Sequence, residues 1–419
     1  ADGRGSVKKY DINGSGFYAY TRWSPDSKYI SFVDNGRGLY LFDVENGTLK
    51  KVDSNEMYFP GAFNDLFGDW SPDGKWITYT KIIASNYEKV YLYSIKNQKS
   101  YPVTDGLSSA SFPCFDESGK YLYFMASTDA GPVVNWFAQS NQDMELSNHI
   151  NLATLQSDLL SPFAKKSDEE SEKTETKGDS KEEETPAIDP KNIESRIIDI
   201  PIPAGSYTSL KSGKAGKFYF IDTKSGKLNS YDLKEQKKEE LLSVNSYQIT
   251  ANNEKMLYYG SGKWAITKLG SSDAGKPLDL NAVQVKVDPK EEWPNMFYEA
   301  WRVNRDYFYD PGFHGADWEA MKKKYEVFLQ HLSCRSDLNT LIQWMCSELR
   351  VGHHRLTNGG DFLNTSKRVP GGLLGADYEV KNNRYRFKKI YGGLNWSPNL
   401  VSPLTEPGIN AIAGDYLLE

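Results

Sequence analysis

The residues best suited to acid–base chemistry gather between Glu348 and His354, where the sequence reads Glu-Leu-Arg-Val-Gly-His-His. A histidine just past the C-terminus of a helix can keep a ring lone pair free and act as a general base near neutral pH. Adjacent side chains usually point in different directions, so at most one of His353 and His354 is expected to do this. On the residues alone, a pair of surface or packing histidines is the simpler interpretation.

Other catalytic or cofactor motifs are absent from the sequence. The histidine pair lacks a third ligand and a helical i,i+4 spacing, which argues against a metal site. There is no GxSxG nucleophile elbow, HExxH, P-loop or Rossmann glycine pattern. The three cysteines, Cys114, Cys334 and Cys346, show no CxxC spacing and are expected to be buried free thiols. We therefore expect neither a metal nor a cofactor.

Three helices are predicted to lead up to the histidines, because the hydrophobic period changes from 2 to 3.6 near Pro289. The first runs from Trp293, with Pro294 in its first turn, and ends at residues 310–312, Asp-Pro-Gly.

The second and third helices begin at predicted caps, Asp317 for the second and Ser336 or Asp337 for the third. The apolar face of the second contains Trp318, Met321, Tyr325, Phe328 and Leu332. That of the third contains Leu338, Leu341, Ile342, Met345 and Leu349. The third helix then runs directly into residues 351–354.

The first two thirds of the sequence repeats itself. Trp-Ser-Pro-Asp-Ser-Lys at residues 23–28 recurs as Trp-Ser-Pro-Asp-Gly-Lys at 70–75, and three weaker copies follow. The aligned lysines of the five copies are Lys28, Lys75, Lys120, Lys217 and Lys255. Each copy is a turn followed by an alternating strand. Several strands per period of roughly 40 to 50 residues predict a partial β-propeller with about five blades.

The wide spacing between Lys120 and Lys217 needs an insertion. Residues 165–185 hold nine acidic and five basic residues and no aromatic or branched aliphatic one. Such a segment buries too little apolar surface to become ordered, so we predict a disordered acidic insertion. Removing it with its flanks brings the spacing toward two blade periods. Asn-Trp-Phe-Ala at 135–138 predicts a further excursion.

The predicted architecture is mainly β with a helical segment. We assign residues 1–285 to propeller blades, 286–365 to a helical core subdomain, and 366–419 to a linker and the beginning of a further β domain. Residues 384–390 alternate like a strand. The last domain looks incomplete, which indicates truncation at Glu419.

Composition limits the partners. The net charge of −6 gives no sign of the clustered basic face that a nucleic-acid-binding protein needs. No apolar run is long enough to span a membrane. We expect a cytoplasmic location, with the periplasm as the alternative, because the true N-terminus looks absent.

A family resemblance adds to this picture. Residues 301–311 (WRVNRDYFYDP), followed in order by 314–318, 335–338, 347–349 and Gly352-His353, resemble the core helical domain of tricorn proteases. The turns of the blades resemble that family too, and residues 408–419 resemble the opening of a PDZ domain. The resemblance covers nearly the whole chain.

This resemblance implies a serine peptidase acting on peptides, with His353 as the catalytic general base. The nucleophilic serine would lie downstream of Glu419, so the fragment alone should be inactive. Family members carry a helper serine immediately before the histidine, where this sequence has Gly352. His354 departs from the family pattern and is either a supporting group or a bystander.

The resemblance also implies that the propeller gates and channels peptides, and that the full-length protein is a homo-oligomer. An alternative is a non-catalytic, TolB-like propeller that binds a partner as a scaffold. A prolyl oligopeptidase is a weaker alternative, because its GxSxG motif is missing.

Overall fold

The structure is a computed structural model that describes residues 5, 7–12, 18–57, 66–127, 147–164, 186–357, 359–361 and 370–418. The predicted insertion at 165–185 and the excursion at 135–138 lie outside the described residues. The chain divides into two compact units, with the boundary between Val287 and Asp288. Among the helices of the described residues, none combines the length and apolar character needed to span a bilayer.

The first unit contains five four-stranded antiparallel sheets in its described residues, each built from strands consecutive in sequence. The first blade consists of β1 (Tyr18–Trp23), β2 (Tyr29–Asp34), β3 (Gly38–Asp43) and β4 (Thr48–Ser54). The second consists of β5 (Phe67–Trp70), β6 (Trp76–Ile82), β7 (Glu88–Ser94) and β8 (Lys99–Pro102). The third consists of β9 (Ser109–Phe115), β10 (Tyr121–Ser127), β11 (His149–Thr154) and β12 (Ile197–Asp199).

The fourth blade consists of β13 (Tyr207–Ser212), β14 (Lys217–Asp222), β15 (Lys227–Asp232) and β16 (Lys237–Ser243). The fifth consists of β17 (Ser246–Ile249), β18 (Lys255–Gly260), β19 (Lys263–Lys268) and β20 (Lys276–Pro277). Repeated four-stranded sheets of this kind form a β-propeller. The predicted mainly-β architecture with about five blades is therefore confirmed.

The repeated turn is held by its serine. The Ser24 hydroxyl accepts the backbone N–H of Tyr29 at 2.9 Å and donates to the Asp26 carboxylate at 2.6 Å. The same two bonds recur around Ser71, at 2.9 and 2.7 Å. These local bonds fix the bend between the first two strands of the first and second blades, which explains why the Ser-Pro-Asp pattern marks those two bends.

Two details of the predicted repeat are wrong. Lys120 and Lys217 lie in consecutive blades, so their spacing covers one blade step and not two, because long connections precede both β11 and β12. The two faintest copies were also aligned one residue too late. In the first blade, the backbone N–H of the residue after the third strand donates to the Lys28 carbonyl. In the fourth and fifth blades the equivalent N–H donates to Gly216 and Glu254, each one residue before the lysine of the predicted alignment.

Blades are joined by aromatic packing and by buried polar contacts. Between the third and fourth blades, the rings of Tyr123 and Phe218 lie 4.9 Å apart. The buried Asp116 carboxylate accepts the Tyr123 hydroxyl at 2.8 Å and the Gly216 N–H at 2.7 Å. A buried acceptor bound by donors from two blades fixes their spacing, because leaving either donor unpaired would be costly.

The second unit contains helices and a hairpin. Its elements are α1 (Pro289–Tyr307), α2 (Trp318–Glu326), α3 (Arg335–Ser347), β21 (Ala376–Lys381) and β22 (Arg384–Ile390). Trp301 and Trp318 are both buried and exchange two hydrogen bonds: each indole N–H donates to the backbone carbonyl of the other, at 2.9 and 3.0 Å. This reciprocal pair fixes α1 against α2.

The start of α1 differs from the prediction. The helix begins at Pro289, because the Asp288 carboxylate accepts the Lys290 N–H at 3.0 Å and caps it. Pro294 therefore lies inside the helix and not in its first turn.

The predicted cap of α2 is correct, whereas the predicted cap of α3 is wrong. Asp317 is the N-cap of α2, as predicted, and accepts the Ala320 N–H at 2.9 Å. Phe328 lies beyond the end of α2 and is exposed, contrary to the predicted apolar face. The cap of α3 is Cys334, because the carboxylate of Asp337, the third residue of the helix, reaches back to the N–H groups of Ser333 and Cys334.

Candidate functional site

His353 lies on a turn that follows α3. Leu349 and Leu356, on either side of the turn, pack on the core of the helices. Between them, Arg350 and His353 adopt left-handed backbone conformations, with φ of 52° and 61°. Histidine is one of the few side chains enriched in this region of φ/ψ space. The turn leaves both His353 and His354 exposed.

The His353 ring contacts a guanidinium. Arg355 Nη2 lies 3.4 Å from His353 Nδ1. Arginine can only donate, so Nδ1 accepts in this contact and the neutral ring carries its proton on Nε2. A contact of this length orients the ring weakly. For Nε2 to accept a serine proton, Nδ1 must instead hold the proton and face an acceptor, as in serine hydrolases.

Glu348, at the other end of the sequence cluster, is bound to α2. Its carboxylate accepts the Lys324 ammonium at 2.6 Å and the Tyr325 hydroxyl at 2.7 Å. The hydrogen bond from Lys324, followed by that from Tyr325, holds the pKa of Glu348 below its usual range. The structure therefore joins Glu348 to α2 and does not pair it with the histidine it precedes in sequence.

His314 binds the backbone just past the end of α3, a role that the sequence analysis did not predict. Its Nδ1 lies 2.8 Å from the Leu349 carbonyl, and its Nε2 lies against the Tyr309 hydroxyl. A carbonyl can only accept, so Nδ1 carries the proton and Nε2 accepts from the tyrosine. The bond gives a donor to the Leu349 carbonyl, one residue past the C-cap of α3, at the point where the turn to His353 begins.

Position 352 has room for a side chain. A β-carbon built on Gly352 would meet no atom within 4 Å, and its backbone is not left-handed. The glycine is therefore not required by crowding or by backbone conformation. A serine would fit here without displacing a neighbour.

Metal and thiol chemistry gain little support from the structure. In the described part of the chain, no three histidine, cysteine or acidic side chains come together as ligands for a metal ion. Cys114, Cys334 and Cys346 are free thiols, as predicted; Cys114 and Cys346 are buried, but the prediction is wrong for Cys334, which is only partly buried. Burial raises the pKa of the Cys346 thiol to about 11, which keeps it protonated and unreactive near neutral pH.

Three family models match the sequence along its length. The tricorn protease second beta propeller domain matches residues 2–270, the tricorn protease C1 domain matches 289–347, and the tricorn protease PDZ domain matches 372–419. The first match alone covers more than half of the chain. The chain belongs to the tricorn protease family. The C1 match ends at Ser347, just before the turn of His353, and the PDZ match includes the β21–β22 hairpin.

Curated relatives agree with this assignment. A protein of Sulfurisphaera tokodaii, named as a tricorn-like protease C-terminal subunit, is 29% identical over 99% of this chain. A tricorn protease homolog of Saccharolobus solfataricus is 26% identical over 94% of the chain. The chain spans 48% and 37% of the lengths of these two relatives.

A solved structure shows the same fold. The crystal structure of the tricorn protease superposes on this chain with a TM-score of 0.67 at 17% sequence identity. The superposition includes 94% of this chain and 39% of the chain in that crystal structure. The likeness supports the arrangement of strands and helices described above.

Proposed function

We propose that this chain is part of a serine-type peptidase that degrades peptides, and that His353 is its general base. The observation that carries the proposal is the exposed His353 ring on a left-handed turn, directly after the helix that ends the C1-domain match. Exposure is what a base needs if its serine is supplied by later sequence. The left-handed backbone is a mild cost of the kind often found at functional positions.

The proposed chemistry is acyl transfer. The serine hydroxyl attacks the peptide carbonyl while His353 Nε2 takes its proton, and His353 then returns that proton to the leaving amine. Backbone N–H groups would hold the oxyanion. An acceptor, most simply a carboxylate from later sequence, must replace Arg355 at Nδ1 so that the ring adopts the required tautomer.

Gly352 removes the helper serine that the family carries before its histidine. The open space around Gly352 shows that this departure is not forced by packing. The proposed enzyme therefore works without that hydroxyl, or receives one from another segment.

The remaining features of the proposal concern the whole protein. We expect peptides as substrates and no nucleic-acid or membrane partner. We also expect the full-length protein to be a homo-oligomer, and light scattering after gel filtration would measure its mass. The three free cysteines fit a cytoplasmic location, since thiols persist in reducing compartments. Cell fractionation would test this.

Peptide hydrolysis by the complete gene product tests the proposal. We expect His353→Ala to lower kcat by about a hundredfold to ten-thousandfold, the usual range for loss of a general base. His354→Ala is the matched control and should retain activity. The 419-residue chain alone should hydrolyse nothing. A stop codon directly after Glu419, or equal activity of His353→Ala and the parent, would contradict the proposal.

A further inference from the structure

The turn that carries His353 is anchored on both sides. Before it, the Leu349 carbonyl accepts the Nδ1–H of His314 at 2.8 Å. After it, the Asp361 carboxylate accepts the backbone N–H of Arg335 at 2.9 Å. Arg335 is the first residue of α3, and Leu349 lies two residues past the last. The chain between the two anchors therefore leads from one end of α3 back to the other.

The length of α3 alone does not determine where His353 lies. The 13 residues of α3 span about 20 Å. Residues 350–361 could extend to about 40 Å, roughly twice that distance. A chain with this much slack could place His353 in many positions unless its ends are held. The two anchors, together with the packing of Leu349 and Leu356 on the helices, supply that restraint.

The first anchor is built on an unusual backbone. Phe313 and His314 are consecutive, and both adopt left-handed conformations, with φ of 51° and 52°. Such conformations are strained for non-glycine residues and concentrate at functional sites. The Asp310 carboxylate accepts the N–H groups of Gly312 and His314, at 3.0 and 2.7 Å, and stabilises the loop in this shape. The fold therefore accepts local strain that brings the imidazole to the Leu349 carbonyl.

Tyr309 selects the form of the imidazole that the first anchor needs. Its hydroxyl lies against His314 Nε2. A carbonyl only accepts, so Nδ1 must carry the proton, and a hydroxyl that donates to Nε2 favours that tautomer. The rings of Phe308 and Tyr309 also pack against the imidazole, each with its centroid 5.2 Å away. Both the tautomer and the orientation of His314 are thus set by its neighbours.

The second anchor combines a charge with close packing. The Asp361 carboxylate binds a backbone N–H in the first turn of α3, where a helix leaves its N–H groups unpaired and attracts negative charge. The Arg335 guanidinium donates to Asn339 Oδ1 at 3.0 Å. A β-carbon built on Gly359 would lie 3.0 Å from Arg335 Nη2, so the chain passes close to this side chain. Residues 359–361 are therefore held against the start of α3.

We propose that His314, Tyr309 and Asp361 are positioning residues, which hold the turn so that His353 can reach the serine. This proposal rests on the proposed function of His353 as the general base. The three residues act through the backbone of the turn. A base must lie within hydrogen-bond reach of its proton, and a displacement of about 1 Å can lower the rate about a hundredfold. Loss of an anchor should therefore lower kcat and leave KM unchanged.

Two substitutions of similar size at His314 separate positioning from folding. Asparagine places an amide N–H near the site of Nδ1 and tolerates a left-handed backbone, so His314→Asn should still donate to the Leu349 carbonyl. Aspartate shares that size and tolerance, but its carboxylate only accepts. In the complete gene product, we expect kcat for peptide hydrolysis to stay within about threefold of the parent in His314→Asn and to fall at least about tenfold in His314→Asp. KM should be unchanged in both.

Further variants test the other two residues. Tyr309 is 71% exposed, so Tyr309→Phe leaves no buried cavity. It should lower kcat by about three- to tenfold, but not in a His314→Asn background, because the hydroxyl acts only through the imidazole. Asp361→Ala should lower kcat by a similar factor, whereas Asp361→Asn keeps an oxygen acceptor and should retain activity. Tyr385→Phe, at an exposed tyrosine of β22, is the control and should match the parent.

Hydrogen exchange of the 419-residue chain measures the anchors without relying on catalysis. The amides of residues 350–357 should exchange faster in His314→Asp and Asp361→Ala than in the parent, and at the parent rate in His314→Asn. Melting temperatures identify any variant that has unfolded, and if His314→Asp does not fold, the cycle with Tyr309→Phe decides.

The kinetic outcomes separate this inference from the function on which it rests. If His353→Ala lowers kcat but folded His314→Asp keeps the parent value, the inference is overturned and the proposed function stands. Equal losses of kcat in His314→Asn and His314→Asp also overturn the inference, because the donor would then not matter. If His353→Ala matches the parent, the proposed function fails and the inference fails with it.

Discussion

The propeller and the helical unit place their chemically interesting residues in opposite ways. In the propeller, the first strand of each of the five blades contributes one residue from the same position to a shared cavity, so this cavity is built by repetition; the residues are Arg22, Asp69, Cys114, Lys211 and Gln248. In the helical unit, His353 occurs once, on a turn whose start is fixed by the His314 bond to the Leu349 carbonyl. A repeated site spreads its support over many contacts, whereas a single-turn site depends on a few clamps. Removing one contact should therefore affect a different extent of the structure in each of the two regions.

The largest effect is expected from Trp318→Ala in the helical unit. The variant creates a cavity and removes the reciprocal bonds with Trp301, which should cost about 3 to 5 kcal/mol. Hydrogen exchange should show faster opening of α1 and α2, with the propeller strands unchanged. Equal loss of protection in the propeller would show that the two regions do not respond separately.

A smaller loss is expected from Asp116→Ala in the propeller. The Tyr123 hydroxyl and Gly216 N–H would lose their buried acceptor, at a cost of about 2 to 4 kcal/mol in the free energy of unfolding. Urea denaturation measures this. If support is spread over the blades, hydrogen exchange should rise mainly in the third and fourth blades. Opening of all five blades together would contradict that view.

His314→Ala should destabilise the histidine turn by about 1 to 2 kcal/mol, because the Leu349 carbonyl loses its donor. The amides of residues 350–355 should exchange faster than in the parent. His331→Ala, an exposed histidine between α2 and α3, is the matched control and should change neither quantity. Unchanged hydrogen exchange in His314→Ala would show that the bond from His314 to the Leu349 carbonyl does not stabilise the turn.

Glu348→Gln should have a small effect that depends on pH. The lowered pKa of Glu348 means that its bonds to Lys324 and Tyr325 stabilise the fold above the ordinary glutamate pKa of about 4.3. This contribution is lost as pH falls through the lower value of the folded state. Because the pair is partly exposed, the difference at pH 7 should be below about 1 kcal/mol. A difference from the parent that grows on acidification would contradict this assignment.

The smallest effect is expected from Gly352→Ser. The open space at this position should keep the free energy of unfolding within about 0.5 kcal/mol of the parent value. A larger loss would show that the glycine is needed for the shape of the turn.

The fold was more accessible to sequence reasoning than the sites. The Ser24 and Ser71 turns are local, so the strong copies of the repeat identified blades directly. The faint copies slipped by one residue, because Gly216 and Glu254 replace the marker lysine. The residues that line the shared propeller cavity were not predicted, because recognising them as equivalent requires the corrected register and the bulges that precede four of them.

The histidine turn was found only in part, for a similar reason. Periodicity predicted α3, and His353 lies six residues after its last residue, Ser347. The family resemblance, and not periodicity, selected His353 from the pair. The contact of His314 with Leu349 joins residues 35 positions apart, and no short-range pattern indicates it. The Arg355 contact at Nδ1 depends on side-chain placement, which sequence spacing does not specify.

Fluorophosphonate labelling of the complete gene product tests the role of His353 most directly, because the probe reacts with an activated serine without needing a known substrate. We predict labelling of one serine after residue 419, with a rate at least about a hundredfold lower in His353→Ala and unchanged in His354→Ala. Equal labelling rates in the parent and in His353→Ala would contradict the account.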